Sequence, residues 1–232
     1  MIRWLVLAGL QLATMVPLSQ TCRAQNITIV GKSKIYRQAI RRDSLQRMVE
    51  LHSLAPEIMY DLRYASKNNF TGHVLYKQAS KTFLRLAPAR ALALVQANLQ
   101  AEGLGLKIFD AYRPHAATRL MWDLVHDERY VANPAKGSGH NRGLAVDLTL
   151  IDLHSGKELD MGTGFDNFTD SAHSDFKNLP IDVLDNRRLL RNAMERAGFT
   201  VLPTEWWHFY WPNNRNYDVL DLKFETLARS AF

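Results

Sequence analysis

Leu144, Val146, Leu148 and Leu150 alternate with Ala145, Asp147 and Thr149, and no other stretch constrains the fold as tightly. A period of two marks a strand with one buried face. The leucines and Val146 would face a core, Asp147 would face the other way, and Ala145 would leave room beside it. Just upstream, Gly139 and Gly143 flank His140. That spacing predicts a tight bend delivering the histidine to the mouth of the strand. The aromatic run Trp206–Trp211 predicts a second strand. There His208 and Tyr210 share one face, and Trp207, Phe209 and Trp211 the other. Glu205 lies on the face opposite His208 in an ideal strand, so it is expected in the turn just before.

His140, Asp147 and His208 together offer two ring nitrogens and a carboxylate oxygen. Three protein ligands with a fourth position open are the arrangement of a catalytic zinc, so one Zn2+ per chain is expected. Glu205, three residues before a ligand, is free to take a proton from an attacking water. Singly, each residue has a plainer reading: a packed strand histidine, or an aspartate in a turn or cap. The combination is more specific. S-x-H-x-x-G-x-A-x-D (Ser138 to Asp147), followed by E-x-W-H (Glu205 to His208), resembles the zinc D,D-peptidases. In detail it is most similar to the D-alanyl-D-alanine dipeptidases of the VanX type. Tyr60–Ala65 with Asn69-Phe-Thr-Gly72, Asp110-Ala-Tyr-Arg-Pro114 and Met161–Asp166 extend the resemblance along most of the chain.

The resemblance implies a hedgehog/D,D-peptidase type of fold and D-alanyl-D-alanine as substrate. It implies zinc on His140, Asp147 and His208, and Glu205 as general base. Arg113 would polarise the scissile carbonyl, Asp166 would meet the substrate ammonium, and Ser138 would lie near the substrate. On their own, Arg113 also reads as a loop clamp, Asp166 as a turn residue and Ser138 as a bend-stabilising hydroxyl. Two rival functions share the motif. A D,D-carboxypeptidase trimming peptidoglycan stems would use the same metal chemistry in a more open cleft. A binding module with a structural zinc would have no use for a free base, and Glu205 argues against it.

Helices are expected at Pro88–Gly103, from Pro114 to about Val125 and at Ile181–Ala197, where apolar residues recur on one face. Strands are expected at Met48–Leu51, Ile58–Ala65, Leu106–Asp110 and Phe199–Leu202. The fold class is therefore α+β, a mainly antiparallel sheet with helices packed on one side. The polar loop 127–138 could overhang the site.

Residues 1–24 read as a secretory signal: Arg3, an apolar run Trp4–Leu18 too short to span a bilayer comfortably, then a polar tail ending at Ala24. The expected organisation is signal 1–24, exposed lead-in 25–44 and one zinc peptidase domain 45–232. Cleavage after Ala24 removes Cys22, the only cysteine, and excludes thiol catalysis and cysteine ligands. A lipid-bearing Cys22 is the alternative, although Ser19-Gln-Thr21 fits that signal poorly. The protein is expected to be exported, in the periplasm, with no stable membrane insertion after cleavage. Net charge is +6, and residues 1–24 hold two arginines and no acid, so +4 remains after cleavage. No basic run carries interleaved aromatics, so the expected partner is a small D,D-dipeptide and not nucleic acid.

Overall fold

The alternation in 144–150 is realised as the longest strand, at the centre of a five-stranded sheet. In the computed structural model, which describes residues 27–77 and 80–230, the elements run β1 (Ile29–Val30), α1 (Ser33–Arg42), β2 (Met48–Glu50), β3 (Met59–Tyr60), β4 (Phe83–Arg85), α2 (Leu86–Gln100), β5 (Leu104–Asp110), α3 (His115–Val125), α4 (Gly139–Arg142), β6 (Ala145–Asp152), α5 (Ile181–Arg196), β7 (Thr200–Leu202), β8 (Glu205–Tyr210), β9 (Val219–Leu220) and α6 (Phe224–Ala228). The central sheet has the order β3-β5-β6-β8-β7 and is parallel only between β3 and β5. It is the mainly antiparallel α+β sheet that was expected. Residues 1–26, with the expected signal and Cys22, lie outside the described residues.

One face of this sheet is apolar. Leu106 and Ile108 of β5, Val146, Leu148 and Leu150 of β6 and Phe209 of β8 meet Leu92, Val95 and Leu99 of α2 and Leu190 and Met194 of α5. Each large side chain fully removed from water there contributes about 1.5–3 kcal/mol. A second cluster joins Ala117 and Met121 of α3 to Tyr64, Tyr76, Phe83 and Tyr112. The face opposite α2 and α5 carries the polar residues discussed below.

Two irregularities aim those residues. Between Ile108 and Asp110 the pairing of β5 with β6 slips by one, so Asp110 stands opposite Asp147. In regular register Asp110 would oppose Val146 and point into the apolar core. The extra residue, Phe109, turns the carboxylate to the polar face. A larger slip in β7/β8 pairs Val201 with Phe209 but Leu202 with Glu205.

Several expectations need correction. The lead-in 25–44 is not simply exposed over its described part. Ile29–Val30 pairs in parallel with β9, and α1 buries Tyr36, whose hydroxyl oxygen accepts from the Met48 amide at 2.7 Å. Ile58–Ala65 is a strand only at Met59–Tyr60. The chain then forms a 3-10 turn at Arg63–Ala65 that buries Tyr64. The bend around His140 is the one-turn helix α4. Glu205 is the first residue of β8 and not part of the preceding turn.

Candidate active site

Asp147 and His208 are register partners on β6 and β8, which brings their side chains together on the polar face. His140 reaches them from α4, whose start is fixed by reciprocal bonds. The Asn141 amide donates to Ser138 Oγ at 3.0 Å, and the Ser138 amide donates to Asn141 Oδ1 at 3.1 Å. Asn141 Nδ2 ties the turn to the Arg113 carbonyl and to Thr118 Oγ1, both at 2.8 Å. Gly139 is required here, because a Cβ on it would lie 2.8 Å from the Ala145 Cβ and push α4 off the strand. Gly143 ends the turn at φ 69°.

His140 Nδ1 donates to the Ala111 carbonyl at 2.8 Å. A carbonyl can only accept, so the tautomer is set and Nε2 is left as a bare lone pair. That Nε2 lies 3.3 Å from His208 Nδ1 and 3.4 Å from Asp147 Oδ2, and His208 Nδ1 lies 2.8 Å from Asp147 Oδ1. Bonds of about 2.0–2.1 Å to a tetrahedral zinc would separate ligand atoms by about 3.3 Å. The three donors therefore fit a metal ion in both chemistry and spacing, as expected for His140, Asp147 and His208. Burial alone would raise the Asp147 carboxyl, but His140 and His208 hold it well below the usual carboxylate range. His208, whose burial disfavours charge, is raised by Asp147.

Glu205 Oε2 stands 3.8 Å from His208 Nδ1. An ideal strand would place residues three apart on opposite faces, and the slip at the start of β8 lets both serve one site. Burial pushes the Glu205 carboxyl up to about 7, against the pull of His208. Arg113 is buried at the junction of β5 and α3. Its Nε and one terminal nitrogen each donate to Asp110 Oδ2 at 2.8 Å, and that terminal nitrogen is 3.8 Å from Asp147 Oδ2. Its guanidinium lies 4.7 Å from the centre of the Tyr64 ring. Burial works against its charge, yet Asp110, Tyr64 and Asp147 keep it fully protonated.

Asp166 faces the same cavity, of about 300 Å3, as do Ser138, Tyr64, Trp207 and the metal trio. Tyr64 donates its hydroxyl to Asp166 Oδ1 at 2.9 Å, and Asp166 Oδ2 is buried without a partner. Burial is the main cause of its raised pKa, about 7. Ser138 both caps α4 and lines the cavity. Loop 127–138 does overhang: Glu128, Arg129, Tyr130 and Ala132 form part of the wall. The Tyr130 hydroxyl donates to the Phe168 carbonyl at 3.2 Å, and their rings lie 4.5 Å apart. This contact joins the overhanging loop to the one bearing Asp166.

Residues 44–226 match the D-Ala-D-Ala dipeptidase family of M15 peptidases. The chain belongs to this family. It is 39% identical to the D-alanyl-D-alanine dipeptidase of Escherichia coli K12, over 76% of this chain and 91% of that protein. It is 34% identical to the D-alanyl-D-alanine dipeptidase of Enterococcus faecalis, over 66% of this chain and 85% of that protein. The namesake from Streptomyces coelicolor is also 34% identical, over 67% of this chain and 87% of its own length. Within this family frame, the sequence assigned no role to Asp110, buried behind Arg113, or to Tyr64 and Tyr130 in the cavity wall. Asp110 could have been found, because an acid three residues before Arg113 at a strand-to-helix junction is placed to hold the guanidinium. Tyr64 carried a fainter signal, its place in the segment Tyr60–Ala65. Nothing local marked Tyr130.

Proposed function

We propose that the protein hydrolyses D-alanyl-D-alanine to two D-alanines, acting as a zinc-dependent dipeptidase. The observation that carries this reading is a candidate metal trio with a buried acid beside it, in a cavity also lined by Asp166, whose Oδ2 is buried with no partner. A buried acceptor without a donor is costly, and a substrate ammonium would satisfy it. Beside it Tyr64 packs against Phe70 and Phe165, and Phe168 against Phe70 and Tyr130. An acid awaiting an ammonium favours a free dipeptide over the acylated stem peptide a D,D-carboxypeptidase would need.

Zinc held by His140, Asp147 and His208 would supply Lewis acidity toward the scissile carbonyl and acidify water. Glu205 takes the proton of the attacking water, a role suited to a carboxyl that burial has made more basic. Arg113, pinned by Asp110, meets the negative charge that develops on the carbonyl oxygen. Glu205 then returns its proton to the leaving amine. Asp166, steadied by Tyr64, holds the amino end throughout, and Ser138 borders the substrate from the α4 side.

The apolar run in 1–24 supports export and a periplasmic setting, with a role in D-alanine turnover, cell-wall metabolism or glycopeptide resistance. The deciding assay compares D-Ala-D-Ala, its N-acetyl form and a peptidoglycan pentapeptide. Cleavage of the free dipeptide, with kcat/KM at least about 100-fold above the acylated substrates, is expected, since acylation would leave Asp166 buried and unpaired. Equal or better cleavage of the acylated substrates would replace this reading with a carboxypeptidase.

A further inference from the structure

Helix α1 lies just before the segment that matches the family, which begins at residue 44. Its inner side is anchored: Tyr36 is buried, and Ile40 packs on the second core cluster. The outer side has an unusual charge pattern. Lys32, Lys34, Arg37, Arg41 and Arg42 are all exposed, and the first acidic residue anywhere in the sequence is Asp43. Lys34, Arg37 and Arg41 stand at i, i+3 and i+7, so they share one helical face. Among the described residues none of the five cations has a carboxylate within 4.0 Å; Asp43 pairs instead with Arg215. Ordinary surfaces intersperse both signs. This one carries a single sign, although acids and bases are far more nearly balanced over the whole chain.

Two aliphatic side chains flank the cations. Ile35 is 47% exposed on α1, and Ile29 is 46% exposed on the adjoining strand β1. Cations on the outer face with an exposed isoleucine at the margin form the pattern of a helix lying on an anionic bilayer surface, where charge meets headgroups and the aliphatic side chain reaches the acyl boundary. A nucleic acid would be expected to find aromatic or amide groups among the cations, and α1 exposes only Gln38.

We propose that α1 docks the enzyme reversibly on bilayers bearing anionic phospholipid, with Lys34, Arg37 and Arg41 toward the headgroups. The inference is independent of the catalytic reading. Co-sedimentation of the purified protein with phosphatidylcholine vesicles, with and without phosphatidylglycerol, tests it. Binding is expected only with phosphatidylglycerol and should weaken as salt rises. Lys34→Gln/Arg37→Gln/Arg41→Gln should weaken it about 100-fold, roughly fivefold per cation. Arg37→Lys/Arg41→Lys keeps the charge and should stay within about twofold of the wild type. Thermal melting of both variants checks that Tyr36 and Ile40 still hold the helix. Equal binding to both vesicle types, no binding to anionic vesicles at low salt, or full retention by the glutamine variant would overturn the proposal. Binding to dextran sulfate without binding to vesicles would assign α1 to a soluble polyanion instead.

Discussion

Glu205 and Asp166 are both carboxyls that burial pushes up to about 7, but they stand in different surroundings. Glu205 adjoins His208, where the proposed mechanism needs a base; Asp166 is held by Tyr64, at the proposed ammonium site. Glu205→Gln keeps the shape and removes the base. It should lower kcat by about 100-fold or more while bound metal, measured by elemental analysis, stays at one per chain. Near-normal turnover at full metal content would remove Glu205 from the chemistry. Asp166 offers a test by stability in metal-free protein. Its unfolded value lies near 3.8 and its folded value near 7, so the folded state holds the extra proton between them. Its contribution is fully present below the lower value and is lost as pH rises through the upper one. Asp166→Asn should therefore gain in melting temperature relative to wild type from about pH 4 to pH 7 and hold that gain above. Each pH unit in the window is worth at most about 1.4 kcal/mol, less for a side chain with some access to solvent. A pH-independent difference would show that Asp166 does not titrate in this window.

At the scale of elements, the loop bearing Asp166 is fastened to α5 by Asn186, which donates to the Asp160 carbonyl at 2.9 Å, and above all by Arg187. Arg187 Nε donates to the Met161 carbonyl at 2.7 Å, and its two terminal nitrogens donate to the Ser171 and His173 carbonyls at 2.8 and 3.1 Å. Arg187→Gln leaves most of these acceptors unpaired and should cost about 2–4 kcal/mol of stability. Because the loop positions Asp166 and not the metal ligands, KM should rise about tenfold with a smaller change in kcat, which a loss that lowers kcat alone would contradict. The sequence carried the strands and helices wherever one local period set them, as in 145–152 and Ile181–Arg196. It also pointed to His140, Asp147 and His208, whose donor atoms the fold brings within 4.8 Å of one another, because residue types at fixed spacing are chemically specific. The slip at Phe109 was not legible, since register belongs to a pair of strands and Asp110 turns only against β6. The carbonyl cluster under Arg187 was hidden for a similar reason, because it gathers backbone atoms distant in sequence. The buried part of the lead-in was not legible because a polar composition conceals two anchors, Val30 and Tyr36.

Across the whole molecule, the three proposed ligands arrive from α4, β6 and β8, so a metal ion held there would tie one turn of helix to two neighbouring strands. These side chains are also bonded within the protein. His208 and Asp147 are in contact at 2.8 Å, and His140 is held by the Ala111 carbonyl. The sheet beneath is packed by α2 and α5 on its other face and does not depend on the ion. Chelation should accordingly leave a folded protein with its far-UV signal intact. It should still melt lower, because an ion that binds the native state and not the unfolded chain stabilises the native state by mass action. At a free metal concentration about 100 times Kd that term is about 2.7 kcal/mol. For a domain of this size each kcal/mol moves Tm by about 2–4 °C, so a fall of roughly 5–10 °C is expected, reversed by added zinc. His140→Ala should already melt near the chelated value and respond little to zinc, because two ligands cannot hold the ion as three do. If chelation removes the metal completely and Tm does not move, the trio is not where the ion binds. If His140→Ala keeps the full zinc response, His140 is not one of its ligands.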